Sequence, residues 1–200
     1  MNAQTQESQA QITPQKAHQM LVEGNQRFVA NKRASRNLNQ QILDTSEGQY
    51  PFAAILSCID SRVPAEIVFD QGIGDIFSAR VAGNIVNEDI LGSLEYSCKV
   101  AGSKLIVVLG HTKCGAVTAA CKQVELGNIT ALLSKIQPAV AKVNKEVTPE
   151  SIEETSRVNV ALSIENIRKE SPILAEMETN GDIKIVGAVY HVATGHVDFI

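Results

Sequence analysis

Two short segments of the chain carry three residues that can bind one metal ion. The first segment begins at Cys58, and the second runs from His111 to Cys114. Thiolate and imidazole are preferred zinc ligands, and a catalytic zinc site has three protein ligands and leaves the fourth position for water. A closed structural site would more often show two close pairs of Cys or His, whereas only His111 and Cys114 are closely spaced here. The pattern therefore predicts one catalytic zinc ion per chain, bound by Cys58, His111 and Cys114.

Each segment follows an apolar run that has the character of a buried strand. Residues 52–57 and 104–110 are almost continuously apolar, and the second run is rich in β-branched residues. Such runs are typical of parallel strands that are covered on both faces. In open α/β sheets, sites gather beyond the carboxyl ends of the strands, which is where Cys58 and His111 fall.

Asp60 and Arg62 follow Cys58 closely enough to fold back over the metal. An ordinary ion pair is the default interpretation of an Asp-x-Arg sequence. Beside a zinc ligand, however, the carboxylate can either bind the metal or accept a hydrogen bond from metal-bound water. The planar guanidinium of Arg62 can hold it in the second arrangement. We therefore predict catalytic roles for both residues.

A Cys-x-Asp-x-Arg segment paired with a later His-x-x-Cys resembles the signature of the β-class carbonic anhydrases. The resemblance extends from about Pro14 to Ile200, with Ile59 where family members often carry Ser. It implies an α/β fold: a mostly parallel central sheet with one antiparallel C-terminal strand, flanked by helices, and an N-terminal helical arm. It also implies zinc-dependent, reversible hydration of carbon dioxide to bicarbonate and a proton. Two thiolate ligands should acidify the bound water less than three imidazoles, so activity should favour mildly alkaline pH.

The same resemblance assigns a substrate pocket. Gln49 matches the amide donor of the plant-like branch, Phe77 and Tyr96 match its aromatic pocket, and Ala82 stands where that branch has a small apolar residue. Ordinary core packing is the alternative for the two aromatic residues. Independently of the family, the backbone N–H of Gly115, at the start of a predicted helix, could face an anionic substrate.

The likeness is to the plant-like, non-allosteric branch in particular. The other branch has a second, inhibitory bicarbonate site built around a Trp, an Arg and a Tyr. Arg80 lies at the matching position, but the sequence contains no Trp, and Ile55 occupies its place. Inhibition by bicarbonate at such a site is therefore not expected.

Composition favours a compact enzyme. With 200 residues, of which 44% are hydrophobic, the chain suits one domain with a sizeable core. A net charge of −4 leaves no basic footprint for nucleic acid, and no apolar run is long enough to span a membrane. Cys98 reads as a core residue, and Cys121 would lie about 10 Å along a helix from Cys114, too far to share its metal.

The four cysteines favour reduced thiols and therefore the cytoplasm. The N-terminus lacks the basic and apolar regions of a signal peptide. If the natural chain began upstream, a removed signal could instead direct it to the periplasm.

The chain reads as a single domain over residues 1–200. Residues 1–12 are polar and expected to be flexible, and residues 13–31 form the helical arm, with Thr13 as N-cap. Leu21 and Phe28 give this helix an apolar stripe with no obvious partner in the chain, and such a face must be buried somewhere. The resemblance implies that the helix embraces a second subunit, in a homodimer or a homotetramer of such dimers. It also implies that Gln49, Phe77 and Tyr96 help build the pocket around the neighbour's zinc. The other predicted elements are strands at 75–81 and 183–190, a terminal hairpin strand within 195–200, helices at 88–100 and 114–126, and a mostly helical stretch from 149 to about 177.

Two alternatives remain open at this point. Relatives of the fold hydrolyse carbon disulfide or carbonyl sulfide with the same ligands, and sequence separates these activities poorly. Outside enzymes, the metal could be structural or the thiols redox-active, although the Asp60–Arg62 pair argues against both.

Overall fold

A five-stranded sheet forms the centre of the computed structural model, which describes residues 2–200. In chain order the strands are Ala53–Ser57 (β1), Ile76–Arg80 (β2), Leu105–His111 (β3), Lys184–Tyr190 (β4) and Val197–Phe199 (β5). Their order across the sheet is β2-β1-β3-β4-β5. The first four strands are parallel, and β5 runs antiparallel to β4. The predicted fold class is confirmed, as are all five predicted strands.

Helices cover both faces of the sheet. Within residues 2–200 they are Gln6–Ala10 (α1), Pro14–Val29 (α2), Leu38–Asp44 (α3), Ala65–Val68 (α4), Glu88–Glu95 (α5), Gly115–Cys121 (α6), Gly127–Ser134 (α7), Gln137–Val143 (α8), Pro149–Glu170 (α9) and Pro172–Thr179 (α10). A 3₁₀ turn spans Ala82–Asn84, and a π-helical turn, Tyr96–Val100, continues α5. No helix in this described range is both long and apolar enough to cross a membrane.

The two central strands are buried along their whole length, as their apolar sequences predict. On one face, Ile55 and Val107 pack in a cluster with Leu21 of α2. On the other, Val108 packs in a cluster with Val160 of α9. Both faces of β1 and β3 are therefore shielded from water, and their carboxyl ends emerge at one covered edge.

The N-terminal arm packs differently from our expectation. Leu21 is fully buried within its own chain, and Phe28 is partly buried against the same cluster, so the apolar stripe of α2 already has a partner. Asn25 fixes the packing: its amide donates to the Val68 carbonyl at 3.1 Å and accepts from the Val197 N–H at 2.9 Å. An apolar stripe indicates that a helix face is buried but not what buries it, and the prediction of an unpartnered helix is wrong.

The flexible segment expected over residues 1–12 contains a short helix, Gln6–Ala10. Gln9 of this helix is buried, and its side-chain amide donates to the carbonyls of Pro51 and Ala101, both at 2.8 Å. Two hydrogen bonds to backbone carbonyls give a polar segment a fixed docking point without an apolar face. The first residue lies outside the described part of the chain.

The stretch from 149 to about 177 is mostly helical, as predicted. It consists of α9 and α10, which are separated at Ser171, an extended residue that precedes Pro172. The helix expected over 88–100 changes to a π-helical turn at Tyr96. Such turns occur mostly within α-helices and are frequent at functional sites.

The helix predicted over 114–126 is shorter than expected and ends at Cys121. Gln123 has a φ of +54°, which stops the helix, and the next helix begins at Gly127. Cys121 lies outside the group formed by Cys58, His111 and Cys114, in agreement with the prediction.

Gly24 of α2 lies against the backbone of Phe69, and this contact generates a stability prediction. A Cβ at this position would lie 1.8 Å from the backbone carbonyl oxygen of Phe69. Gly24→Ala should therefore lower the free energy of unfolding by about 1–3 kcal/mol, despite the better helix propensity of Ala. Gln26→Ala, at an exposed position of the same helix, is the control and should be close to neutral. Equal stability of Gly24→Ala and wild type in urea unfolding would contradict this packing.

Candidate metal centre

The three predicted ligands converge at the carboxyl edge of the sheet. Cys58 directly follows β1, His111 is the last residue of β3, and Cys114 caps the N-terminus of α6. Their ligand atoms all lie within 4.8 Å of one another, and all three residues are buried. Among residues 2–200 this is the one group of His, Cys, Asp or Glu with spacing suited to a metal.

The imidazole of His111 is oriented for metal binding. Its Nδ1 lies 2.9 Å from the carbonyl oxygen of Thr112, which can only accept, so Nδ1 carries the proton. Nε2 is consequently the lone-pair nitrogen; it is buried and has no hydrogen-bond partner among the described residues. A buried polar atom without a partner is costly, and a metal ion would remove that cost.

The thiols of Cys58 and Cys114 also favour a bound cation. Cys58 and Cys114 are hydrogen-bonded to each other, which lowers the pKa of Cys58 and raises that of Cys114, because the second thiolate would form beside the first. The backbone N–H of Gly83 donates to the Cys58 sulfur at 3.3 Å and favours its ionised form. The backbone amides of Ala116 and Val117 act in the same sense on Cys114. A divalent cation lets both thiols ionise, and the donor set fits zinc.

Asp60 and Arg62 form a bidentate pair beside the ligands. Nε and Nη2 of Arg62 donate to the two carboxylate oxygens at 2.9 and 2.7 Å, and the Arg62 backbone N–H donates to Oδ1 at 2.9 Å. These bonds hold the pKa of Asp60 well below its usual range, so the carboxylate is ionised at any physiological pH. Its Oδ2 lies 3.9 Å from Nε2 of His111. A fixed anion therefore stands next to the metal ligands.

Arg80 supports this arrangement from the neighbouring strand, a role that sequence reasoning missed. It is aligned with Ser57 in the β1–β2 register. Its guanidinium donates to the backbone carbonyls of Cys58 at 3.1 Å and Asp60 at 2.6 Å. Only the register between β1 and β2 places Arg80 beside Cys58, and a single sequence does not reveal that register.

The predicted substrate residues do not all meet at this centre. Ala82 and Gly115 do lie beside it: Ala82 precedes Gly83, the donor to Cys58, and Gly115 follows the ligand Cys114 with open space around it.

The remaining substrate residues lie elsewhere in the same chain. Phe77 is aligned with Ala54, which lies four residues before Cys58. Phe77 is therefore about 13 Å from Cys58 along the strand direction. The rings of Phe77 and Tyr96 meet edge to face at 6.2 Å in a surface pocket of about 550 Å³. Gln49 is exposed and lines another surface depression.

Comparison with known proteins supports a single family. The family model described as "Carbonic anhydrase" matches residues 53–197. Carbonic anhydrase 2 of Mycobacterium tuberculosis is 35% identical over 189 residues, covering 91% of this chain and 90% of the relative. The carbonic anhydrase of Mycolicibacterium smegmatis is 33% identical over 192 residues, covering 92% of each.

Solved structures agree with this assignment. The β-carbonic anhydrase of Coccomyxa, in complex with acetazolamide, has a TM-score of 0.71 and 26% identity, over 79% of this chain and 75% of that one. The β-carbonic anhydrase CcaA has a TM-score of 0.75 and 25% identity, over 92% and 91% of the two chains. With its Cys-His-Cys centre at the carboxyl edge of the matching sheet, the chain belongs to the β-class carbonic anhydrases, zinc enzymes that reversibly hydrate carbon dioxide.

Proposed function

We propose that Cys58, His111 and Cys114 hold the zinc ion of this carbonic anhydrase and that Asp60 and Arg62 control access to it. The observation that carries the proposal is the buried, unpartnered Nε2 of His111 facing two thiols. When bound there, zinc supplies a Lewis acid that lets a water molecule ionise near neutral pH. Carbon dioxide would then be hydrated at the open side of the centre.

The Asp60 carboxylate can interact with the metal centre in two ways. Its ionised carboxylate can accept a hydrogen bond from the reacting water, or it can occupy the open coordination position itself. Arg62 engages both carboxylate oxygens, and its Nη2 also donates to the Lys113 carbonyl at 3.3 Å. This double attachment supports a role for Arg62 in keeping the carboxylate in its accepting position.

We further propose that a second copy of the chain completes the substrate pocket. Gln49, Phe77 and Tyr96 lie away from the metal ligands of their own chain. Phe77 lies in β2, which is an edge strand, Tyr96 contacts Phe77, and Gln49 lies near the start of β2. Nearby apolar side chains are exposed: Leu38, Ile42, Leu43, Ile67 and Ile73. A partner seated on this edge would bury these side chains and bring the three pocket residues to its own metal centre.

The number of copies is also part of the proposal. One chain from a pair of β-carbonic anhydrases of the fungus Sordaria macrospora, both described as tetrameric, is 21% identical to this chain. A homodimer, or a homotetramer built from such dimers, accounts for the shared pocket. The aromatic pair gives apolar carbon dioxide a suitable wall, and the Gln49 amide can donate to an oxygen of the substrate.

We propose the cytoplasm as the site of action, because the chain carries four free, buried cysteines. We also place the chain in the plant-like branch of the β class. Ile55 lies buried in β1, where the other branch would need a Trp for its second bicarbonate site.

Replacing Cys58 by Ser should abolish metal binding and activity together. A serine hydroxyl is a poor zinc ligand at neutral pH, so zinc content should fall from about one ion per chain to a small fraction, and carbon dioxide hydration by about a hundredfold or more. Metal analysis and stopped-flow hydration assays measure both. Cys121→Ser, the same change at a buried cysteine outside the cluster, is the control and should keep its zinc. Full zinc occupancy with near-normal turnover in Cys58→Ser would exclude this ligand.

Arg62→Ala should lower activity while zinc remains bound. The freed Asp60 carboxylate would compete for the open position, and hydration near pH 7 should fall by about tenfold or more. Hydroxide competes better as pH rises, so the deficit should shrink toward pH 9. Arg62→Lys keeps the charge but not the bidentate fork and should be intermediate. Wild-type activity of Arg62→Ala throughout pH 7–9 would refute the role of the pair.

Complementation between two inactive variants tests the shared pocket. Cys58→Ser lacks a zinc ligand, and the double variant Gln49→Ala/Tyr96→Ala lacks pocket side chains. In a mixed dimer, one site would combine an intact metal centre with an intact pocket. Co-expression with random pairing should therefore restore about one quarter of wild-type activity. Sedimentation of each variant checks that both still associate. No gain over the separate variants would place the whole site within one chain.

A further inference from the structure

We propose that Glu153, on α9, is a positioning residue for the Asp60–Arg62 pair and acts through the backbone of Lys113. The proposal rests on the function given above to that pair. It concerns a residue far from both metal-binding segments in sequence. The supporting observation is the strained turn between His111 and Cys114. In this turn the Lys113 N–H is bound by Glu153, and the Lys113 carbonyl is bound by Arg62.

The strain lies at Lys113, in the turn between His111 and Cys114. Lys113 has a φ of +55°, in the left-handed region that residues with a Cβ rarely adopt. The turn is fixed at both ends. Thr112 donates its N–H to the Tyr190 carbonyl at 2.9 Å, and Cys114 is the N-cap of α6. Fixed residues therefore flank the left-handed conformation of Lys113, and a contact to its backbone would offset part of the cost of that conformation.

Glu153 supplies that contact. Its Oε1 accepts a hydrogen bond from the Lys113 N–H at 2.8 Å. The acceptor is a carboxylate, so the bond is stronger than one between neutral groups. The position of Glu153 is itself well defined, because the adjacent Ile152 packs against the cluster that contains Cys58 and Cys114.

The backbone carbonyl of Lys113 contacts the Asp60–Arg62 pair. Its carbonyl accepts from Nη2 of Arg62 at 3.3 Å. If Lys113 relaxed to a right-handed conformation, this carbonyl would turn away from the guanidinium. The side chain of Arg62 is 49% exposed, and apart from its bonds to Asp60 it is this contact that links the Asp60–Arg62 pair to the turn between the metal ligands. Loss of the Glu153 contact should therefore loosen Arg62 and free Asp60.

Kinetics of Glu153 variants give the first test. In the full-length, zinc-loaded enzyme, Glu153→Ala should lower kcat/KM near pH 7 by about three- to tenfold, with a smaller deficit at pH 9 and unchanged zinc content. Glu153→Gln keeps an acceptor oxygen and should lose less. Glu154→Ala is the matched control, because the neighbouring Glu154 is exposed and pairs with Lys145 away from the site. It should behave as wild type.

A rescue experiment separates this role from general support of the fold. Glycine adopts the left-handed conformation without penalty, so Lys113→Gly removes the need for an external contact. The double variant Glu153→Ala/Lys113→Gly should regain activity to within about twofold of Lys113→Gly alone. Amide hydrogen exchange gives a readout that is independent of activity: exchange at Lys113 should quicken in Glu153→Ala and stay unchanged in Glu154→Ala.

The outcomes distinguish this proposal from the one it rests on. If Arg62→Ala impairs the enzyme but Glu153→Ala does not, Glu153 has no positioning role and the catalytic pair stands. If Arg62→Ala is itself without effect, the role of the pair fails and this proposal fails with it. A loss in Glu153→Ala that Lys113→Gly does not rescue, or a loss accompanied by missing zinc, would likewise overturn it.

Discussion

The parallel pairing of β1 with β3 sets Ser57 beside Leu109, so the chain leaves both strands at the same buried edge. Cys58 and His111 meet there because the two strands end together, and the short turn after His111 returns Cys114 to the same point. Shifting the register by one residue would turn every side chain of a strand to the opposite face. The apolar core on both faces therefore specifies the metal centre as firmly as it specifies the sheet.

Electrostatics explains why this edge is built for a cation. Two thiols and an imidazole nitrogen are gathered in a buried space, where a second thiolate is opposed by the first and Nε2 of His111 has no partner. The nearby Asp60 carboxylate adds a further negative charge, which Arg62 balances. A positive ion at its centre would stabilise such a group, so metal binding and local folding should be coupled.

Local sequence patterns were sufficient for much of this picture. The apolar runs predicted the central strands, and ligand chemistry with spacing predicted the metal residues. Contacts between distant segments were beyond a single sequence. The apolar stripe of α2 did not reveal that Leu21 packs on its own sheet, and nothing local connects Arg80 with the Cys58 carbonyl or Glu153 with Lys113. The end of a helix can depend on a single residue, such as the left-handed Gln123, and helix propensity does not predict that conformation.

Zinc-edge X-ray absorption on the purified protein at mildly alkaline pH tests the central claim most directly. The account predicts two sulfur ligands at about 2.3 Å, one imidazole nitrogen at about 2.0–2.1 Å, and one light-atom ligand from solvent. Any zinc that remains bound to Cys58→Ser should have one sulfur ligand instead of two. A spectrum with no sulfur ligands, or with four protein ligands and no solvent position at alkaline pH, would contradict a catalytic Cys58-His111-Cys114 centre.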